Sequence, residues 1–240
     1  MKQTPGKIYL AEQRGIAETA KSIRFSTFNF NDFYQEHKQP IGSLYLVNEE
    51  ILAGSQSLIT KVEQDSHIVI IPLAGAVQIY LSEDNFKMVD VGEVLVITAP
   101  ANQFLCLANP YDHDIIHFLQ FALKTDNFLN TTNSQLFQYK FEELENQLAA
   151  IIPEGTKGNV SPGFPFSLNL GRFDGRREAT YQMQDIKSIC FAFVLSGAFE
   201  AQGRLLHEKD GLALWDTEEL EFEALSNNAI LFVIELKQTQ

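Results

Sequence analysis

Residues 54–75 read GSQSLITKVEQDSHIVIIPLAG. A glycine opens the stretch and a short run with strand character follows. A polar link, Glu63-Gln-Asp-Ser66, separates that run from the continuous apolar run that begins at Ile68. A Leu73-Ala-Gly75 turn closes it. Four apolar β-branched residues, Ile68–Ile71, bounded by polar and glycine signals describe a buried strand.

The reading extends in both directions. Val77, Ile79 and Leu81 alternate with Gln78 and Tyr80, the period-2 pattern of a half-buried strand. Asp84-Asn85 breaks it, and Lys87–Val91 resumes it. Val91-Gly-Glu93 turns into Val94–Ile97, Pro100-Ala-Asn102 interrupts, and Phe104–Leu107 and Ile115–Leu123 follow. Short strands at this spacing predict a sandwich or barrel.

The layout recurs. Val194-Leu-Ser-Gly-Ala-Phe199 echoes Pro72-Leu-Ala-Gly-Ala-Val77, at an offset of 197 − 75 = 122 residues. A second glycine turn (Lys209-Asp-Gly211), a buried run (Leu212–Trp215) and a closing apolar strand (Ala229–Leu236) follow in the same order. An internal repeat of this length predicts two similar β-domains in tandem. Between them, Phe141, Leu144, Leu148 and Ile151 fall near helical spacing and mark the best helix candidate, with an end that reads equally as strand. Pro153-Glu-Gly155 stops it, and Gly158–Pro165 reads as a loop.

Composition narrows the function classes. Hydrophobic residues make up 45% of the 240, and 19 Phe against one Trp predict tightly packed apolar interiors. With 18 basic and 31 acidic side chains the formal charge is −13. That field opposes direct binding to nucleic acid or anionic lipid, whose affinity comes largely from Lys and Arg on phosphate. A small-molecule ligand or a protein partner is compatible with it. Cys106 and Cys190 stand far apart in apolar surroundings and read as small buried hydrophobes. No run of 18 apolar residues occurs, and Met1–Leu10 has no apolar signal core, so the expectation is a cytoplasmic protein.

The 54–75 stretch is similar to the first motif of a cupin barrel. Arg14-Gly15, Phe25–Tyr34, Ile41–Glu50, Leu73-Ala-Gly75, His117-Phe-Leu-Gln120, Ile152-Pro-Glu-Gly155 and Lys209-Asp-Gly211 together resemble pirin-like proteins over nearly the whole chain. The resemblance implies an all-β bicupin, two cupin-type jelly-roll β-barrels in tandem. The expected boundaries are residues 1–125 for the N-terminal barrel with its arm, 126–165 for a connector with a short helix or turn, and 166–240 for the C-terminal barrel, whose final strands are open to exchange between barrels.

The resemblance further implies one metal, generally iron, in the N-terminal barrel, held by His-x-His, a later Glu and a His beyond the next glycine turn. Some family members cleave quercetin with molecular oxygen, and others regulate transcription factors. In this chain the four ligand places fall on Lys61, Glu63, His67 and Leu105. An ammonium repels a divalent cation and a leucine offers no lone pair. The expectation is therefore no bound cofactor, with iron or another divalent metal only if the family site survives, and Glu63, His67 and Cys106 as the fallback donors. Lys61 and Glu63, two apart on a strand, share one face. Whether that face is the barrel interior or solvent is open from sequence. His113 and His117 are too far apart on a strand, roughly 13 Å, to share a metal.

Three functions are consistent with this reading. The first is a non-catalytic or small-ligand-binding bicupin with a vestigial metal site and a pocket at Lys61, Glu63, His67 and Leu105. The second is a quercetin-cleaving dioxygenase with an altered ligand set. The third is an interaction module for a transcription factor.

Overall fold

The computed structural model describes residues 4–82, 85–126, 130–157 and 163–238. Among them there are no α-helices; three short 3-10 turns punctuate 21 strands. Two compact units divide the chain, Gly15–Gln138 and a second formed by Met1–Arg14 with Tyr139–Gln240.

The first unit contains β2 (Gly15–Glu18), β3 (Ser22–Ser26), β4 (Leu44–Leu52), β5 (Ser57–Lys61), β6 (Ser66–Ala74), β7 (Val77–Ser82), β8 (Asn85–Val89), β9 (Glu93–Ala99), β10 (Phe104–Ala108), β11 (Ile116–Lys124) and β12 (Asn133–Gln138). They form a seven-stranded sheet, β12-β9-β6-β11-β4-β3-β2, and a four-stranded sheet, β5-β10-β7-β8. Ile68, Ile70, Leu95, Ile97 and Phe118 from the larger sheet join Val77, Ile79, Leu105 and Leu107 from the smaller in one buried cluster. Alternation does the sorting, since successive side chains on a strand point to opposite faces. The break expected at Asp84 lies outside the described residues.

The second unit contains β1 (Gly6–Tyr9), β13 (Leu148–Ile152), β14 (Phe166–Phe173), β15 (Glu178–Gln182), β16 (Ile189–Ser196), β17 (Phe199–Ala201), β18 (Arg204–Leu206), β19 (Gly211–Leu214), β20 (Glu219–Ala224) and β21 (Ala229–Leu236). Its sheets run β1-β19-β16-β21-β14-β13 and β15-β20-β17-β18. Apart from β2, which has no counterpart, this is the first unit's order again, with β19-β16-β21-β14 standing where β9-β6-β11-β4 stand. The core centres on Phe173, Phe199 and Phe222, whose rings meet edge to face at 5.1 to 6.1 Å. Gly75 and Gly197, the turn glycines of the two echoing motifs, have φ of 71° and 79°, a backbone region that strains any residue with a Cβ.

Two features differ from the sequence reading. The stretch at Phe141–Ile152 forms a 3-10 turn (Phe141–Leu144) and then β13. Asn146 turns the chain at φ 56°, its side chain bridges to Asp174, and Leu148 pairs with Gly171. Ladder pairing thus takes the segment that helical spacing marked. The first described residues, set with the N-terminal barrel by the sequence reading, hydrogen-bond to the second unit: β1 pairs with β19, Tyr9 opposite Gly211. Asp210 fastens the arm, its Oδ1 accepting from the Ala11 amide at 2.7 Å and its Oδ2 from the His207 amide at 2.8 Å. Its side chain is buried, so Asp210→Ala strands two amides. The expected loss is about 2 kcal/mol, with hydrogen exchange at Ala11 rising more than exchange in β6. Unchanged protection at Ala11 would contradict this role.

Candidate functional site

The four positions inherited from the family do not converge. On β5 the exposed residues are Ser57, Ile59 and Lys61, while Leu58 and Thr60 turn toward the core. Val62 is buried, because its backbone is tied on both sides to the start of β10, to Gln103 O and the Asn102 amide. The phase of the strand is thereby fixed with Val62 inside, and Lys61 and Glu63 face outward. They form an ion pair at 3.5 Å with side chains 41% and 67% exposed. Of the two faces left open by the sequence, theirs is the solvent one.

Leu105 does lie inside the barrel, wholly buried opposite Thr60 and packed with Leu107. Cys106, its neighbour, points outward and is half-buried between Ile59 and Tyr80. His67 sits on β6 between Ser66 and Ile68 and therefore faces away from the interior cluster that holds Ile68. Its Nδ1 lies 2.9 Å from Thr98 Oγ1, and burial pushes its pKa down to about 4. His113 is exposed in a loop, and His117 lies 2.7 Å from Glu49. Among the described residues no three of His, Cys, Asp and Glu come together as a metal set. The donor chemistry at the inherited positions does not fit a metal: one ammonium in solvent, one alkyl side chain and two groups on different surfaces. Val62 and Leu105 belong to the buried interior cluster, with Tyr45 packed against it and Tyr45 Oη 2.9 Å from Ser66 Oγ.

A polar group that the sequence reading passed over lies inside the same barrel. Leu46, Asn48, Glu50 and Leu52 share the inner face of β4. Register places Arg24 and Phe118 on either side of Glu50, and Ser26 and Gln120 on either side of Asn48. Arg24 Nε donates to Glu50 Oε1 at 2.5 Å, the side chains 14% and 1% exposed. Burial raises the Glu50 pKa to about 7, outweighing the downward pull of Arg24 and Asn48. Gln120 Nε2 is buried without a hydrogen-bond partner among the described residues. At the β2–β3 end of these rows a pocket of roughly 360 Å³ opens, lined by Ile16, Arg24, Ser26, Phe30, Asp32 and Phe33 among others. Phe30 stacks on the Arg24 guanidinium at 4.9 Å. Phe33 lies on Gly15, where a Cβ would collide with its ring. The available signal was Asn48 and Glu50 at alternate places, in phase with Leu46 and Leu52.

Two jelly-roll units with a repeated strand order define a bicupin of the cupin superfamily. Residues 155–236 match the family described as the quercetinase C-terminal cupin domain. Quercetin 2,3-dioxygenase of Escherichia coli K12 is 22% identical over 226 residues, covering 93% of this chain and 96% of that protein. The crystal structure of bacterial pirin YhhW from Escherichia coli, in complex with nickel(II), superposes with a TM-score of 0.83 at 18% identity, covering 98% of this chain and 100% of that one. A quercetin 2,3-dioxygenase structure from Acinetobacter baumannii gives 0.76 at 15% identity, over 99% of this chain and 87% of that one. Within the bicupins, the chain is similar over nearly its whole length to pirin-like proteins. Among the described residues no helix is long and apolar enough to cross a membrane.

Proposed function

We propose that this protein is a non-catalytic, small-ligand-binding pirin-like bicupin in which the family's metal position has been given over to packing. The observation that carries it is the split fate of the inherited positions, Leu105 inside the barrel and Lys61 and Glu63 outside it. A transition metal needs several lone-pair donors converging at about 2.0–2.3 Å, and these residues cannot provide them without unpicking the β5–β10 ladder. The relatives named as quercetin dioxygenases are the support for an oxygenase reading. That chemistry requires a metal to activate substrate or oxygen, and nothing in the geometry at the inherited positions adds to it. The partner is a small molecule; the charge of −13 opposes nucleic acid.

The test is metal analysis of protein purified without supplementation, together with oxygen uptake on quercetin with added Fe(II), Ni(II), Mn(II) or Co(II). The expected results are well under one metal per chain and no metal-dependent product. One tightly held metal per chain, or turnover of ~1 per second or faster, would overturn the reading.

A further inference from the structure

Building on the ligand-binding reading, we propose that the pocket at the β2–β3 edge of the first barrel takes a small organic monocarboxylate, its carboxylate on Arg24 and Ser26 and its apolar body along Phe30 and Phe33.

The chemistry of the walls selects this class. A guanidinium carries five donors in a planar fork. In Arg24 only Nε is engaged with a protein acceptor among the described residues, leaving the outer nitrogens for an oxygen pair at the pocket. Ser26 lines the pocket beside it and adds a hydroxyl donor. Gln120, whose Nε2 is unsatisfied among the described residues, lies deeper along the same row, beyond Asn48 and outside the pocket lining. Arg24 and Ser26 call for a ligand rich in acceptors. Glu50, the carboxylate on the inner face of β4, is already taken by Arg24. Phe30, Phe33 and Ile16 form an apolar wall, and roughly 360 Å³ accommodates one ring with its carboxylate. A dianion such as a phosphate monoester fits poorly. Among the described residues Arg24 is the only cation lining the pocket, and Asp32 stands at the same pocket on the tight Phe30–Phe33 turn.

Glu50 gives the site a proton dependence. The charged group that acts on it is Arg24, from β3. β11 presents the neutral Phe118 and Gln120 to its row and its neighbour's, while Glu49 and His117 pair with each other on the opposite face. When a ligand carboxylate takes over the guanidinium, the Glu50 carboxylate loses its counter-charge in a dry site and takes a proton from solvent. Binding is thus linked to uptake of one proton and tightens as pH falls.

Benzoate is the probe, titrated into the full chain by calorimetry and by amide chemical shifts, with benzyl alcohol and inorganic phosphate as controls. Benzoate is expected to shift amides of Gly15–Ala17 and Phe30–Phe33, to bind about tenfold more tightly at pH 6 than at pH 8, and to exceed both controls. Glu50→Gln is expected to bind benzoate with no pH dependence. Arg24→Gln leaves Glu50 buried and unpaired and risks misfolding, so the double variant Arg24→Gln/Glu50→Gln, neutral at both places, carries the loss-of-binding test; its benzoate affinity is expected to fall at least tenfold. Undiminished affinity in the double variant, or shifts confined to other strands, would overturn the assignment. Equal binding of benzyl alcohol would reject the anion class while leaving the ligand-binding reading intact. Shifts at these amides from none of the three probes would reject the site itself, whereas a tightly held metal in the separate metal analysis would reject the non-catalytic reading.

Discussion

Glu235→Ala is expected to cost about 3–5 kcal/mol, with the loss centred on the second barrel. The Glu235 side chain is 2% exposed on β21 and gathers its donors from two neighbouring segments. Tyr181 Oη donates to Oε2 at 2.8 Å, the Gln184 amide reaches the two carboxylate oxygens at 3.0 and 3.1 Å, and the Asp185 amide reaches Oε1 at 3.2 Å. The carboxylate thus satisfies the turn that follows β15 as well as a buried phenol. Its charge also acts on Cys190, directly across the ladder, adding to burial in pushing that thiol well above its ordinary range. Alanine strands all three donors at once, and each unsatisfied buried group costs about 1–3 kcal/mol. Glu235→Gln keeps an acceptor and should cost about half as much. Urea unfolding with hydrogen exchange resolved by residue checks this; a loss under about 1 kcal/mol for the alanine variant would show that water reaches the site freely.

The second large effect is on pH dependence, and it comes as two opposed contributions. His67 and Glu50 lie on opposite faces of the seven-stranded sheet, both buried. The folded-state pKa of His67 is depressed to about 4, so unfolded chains take up its proton first as pH falls. Its contribution is complete above about pH 6.5 and is lost as pH drops toward 4. For Glu50 the folded value is raised to about 7, so unfolded chains ionise first as pH rises. Its contribution is complete below about pH 4.5 and is lost as pH climbs toward 7. Each shift spans about 2.5 pH units, or about 3 kcal/mol. Over pH 4.5–6.5 the two nearly cancel in the intact protein. Relative to wild type, His67→Gln should therefore gain stability at pH 4.5 over pH 6.5, and Glu50→Gln the reverse. Denaturation midpoints across this range test it directly. Two variants whose slopes move in the same direction would rule it out.

The fold was legible where alternation and turns agreed. The Leu-x-Gly turns at Gly75 and Gly197 stand at equivalent places, each between a long core strand and a strand of the four-stranded sheet. The helix candidate was misleading because Phe141, Leu144, Leu148 and Ile151 fit a helical period, whereas the ladder that pairs Leu148 with Gly171 draws the segment into a strand. The site was harder to read for a reason particular to strands. A one-residue change of phase exchanges the faces of every side chain. Residue identities at 61 and 63 contain no mark of that phase; the hydrogen bonds of Val62 to Asn102 and Gln103 set it. The Arg24–Glu50 pair depends on register between separate strands, which no spacing within either strand discloses.

The arm has a consequence for how the molecule is made. β1 borders β19 in the place that β12 takes beside β9 in the first barrel, so each barrel's large sheet has a short strand on that edge. For the second barrel that strand comes from far upstream in the chain: Ala11 and Asp210, which fasten it, are 199 residues apart. At about 5–20 residues per second on the ribosome, the arm emerges roughly 10–40 seconds before the edge it will join exists. The first barrel can assemble in that interval from contiguous chain, while Gly6–Tyr9 waits with its ladder groups open to any other strand edge. The second barrel is thus sealed by a segment made ahead of the first, and changes within Gly6–Tyr9 act on a barrel completed much later in synthesis.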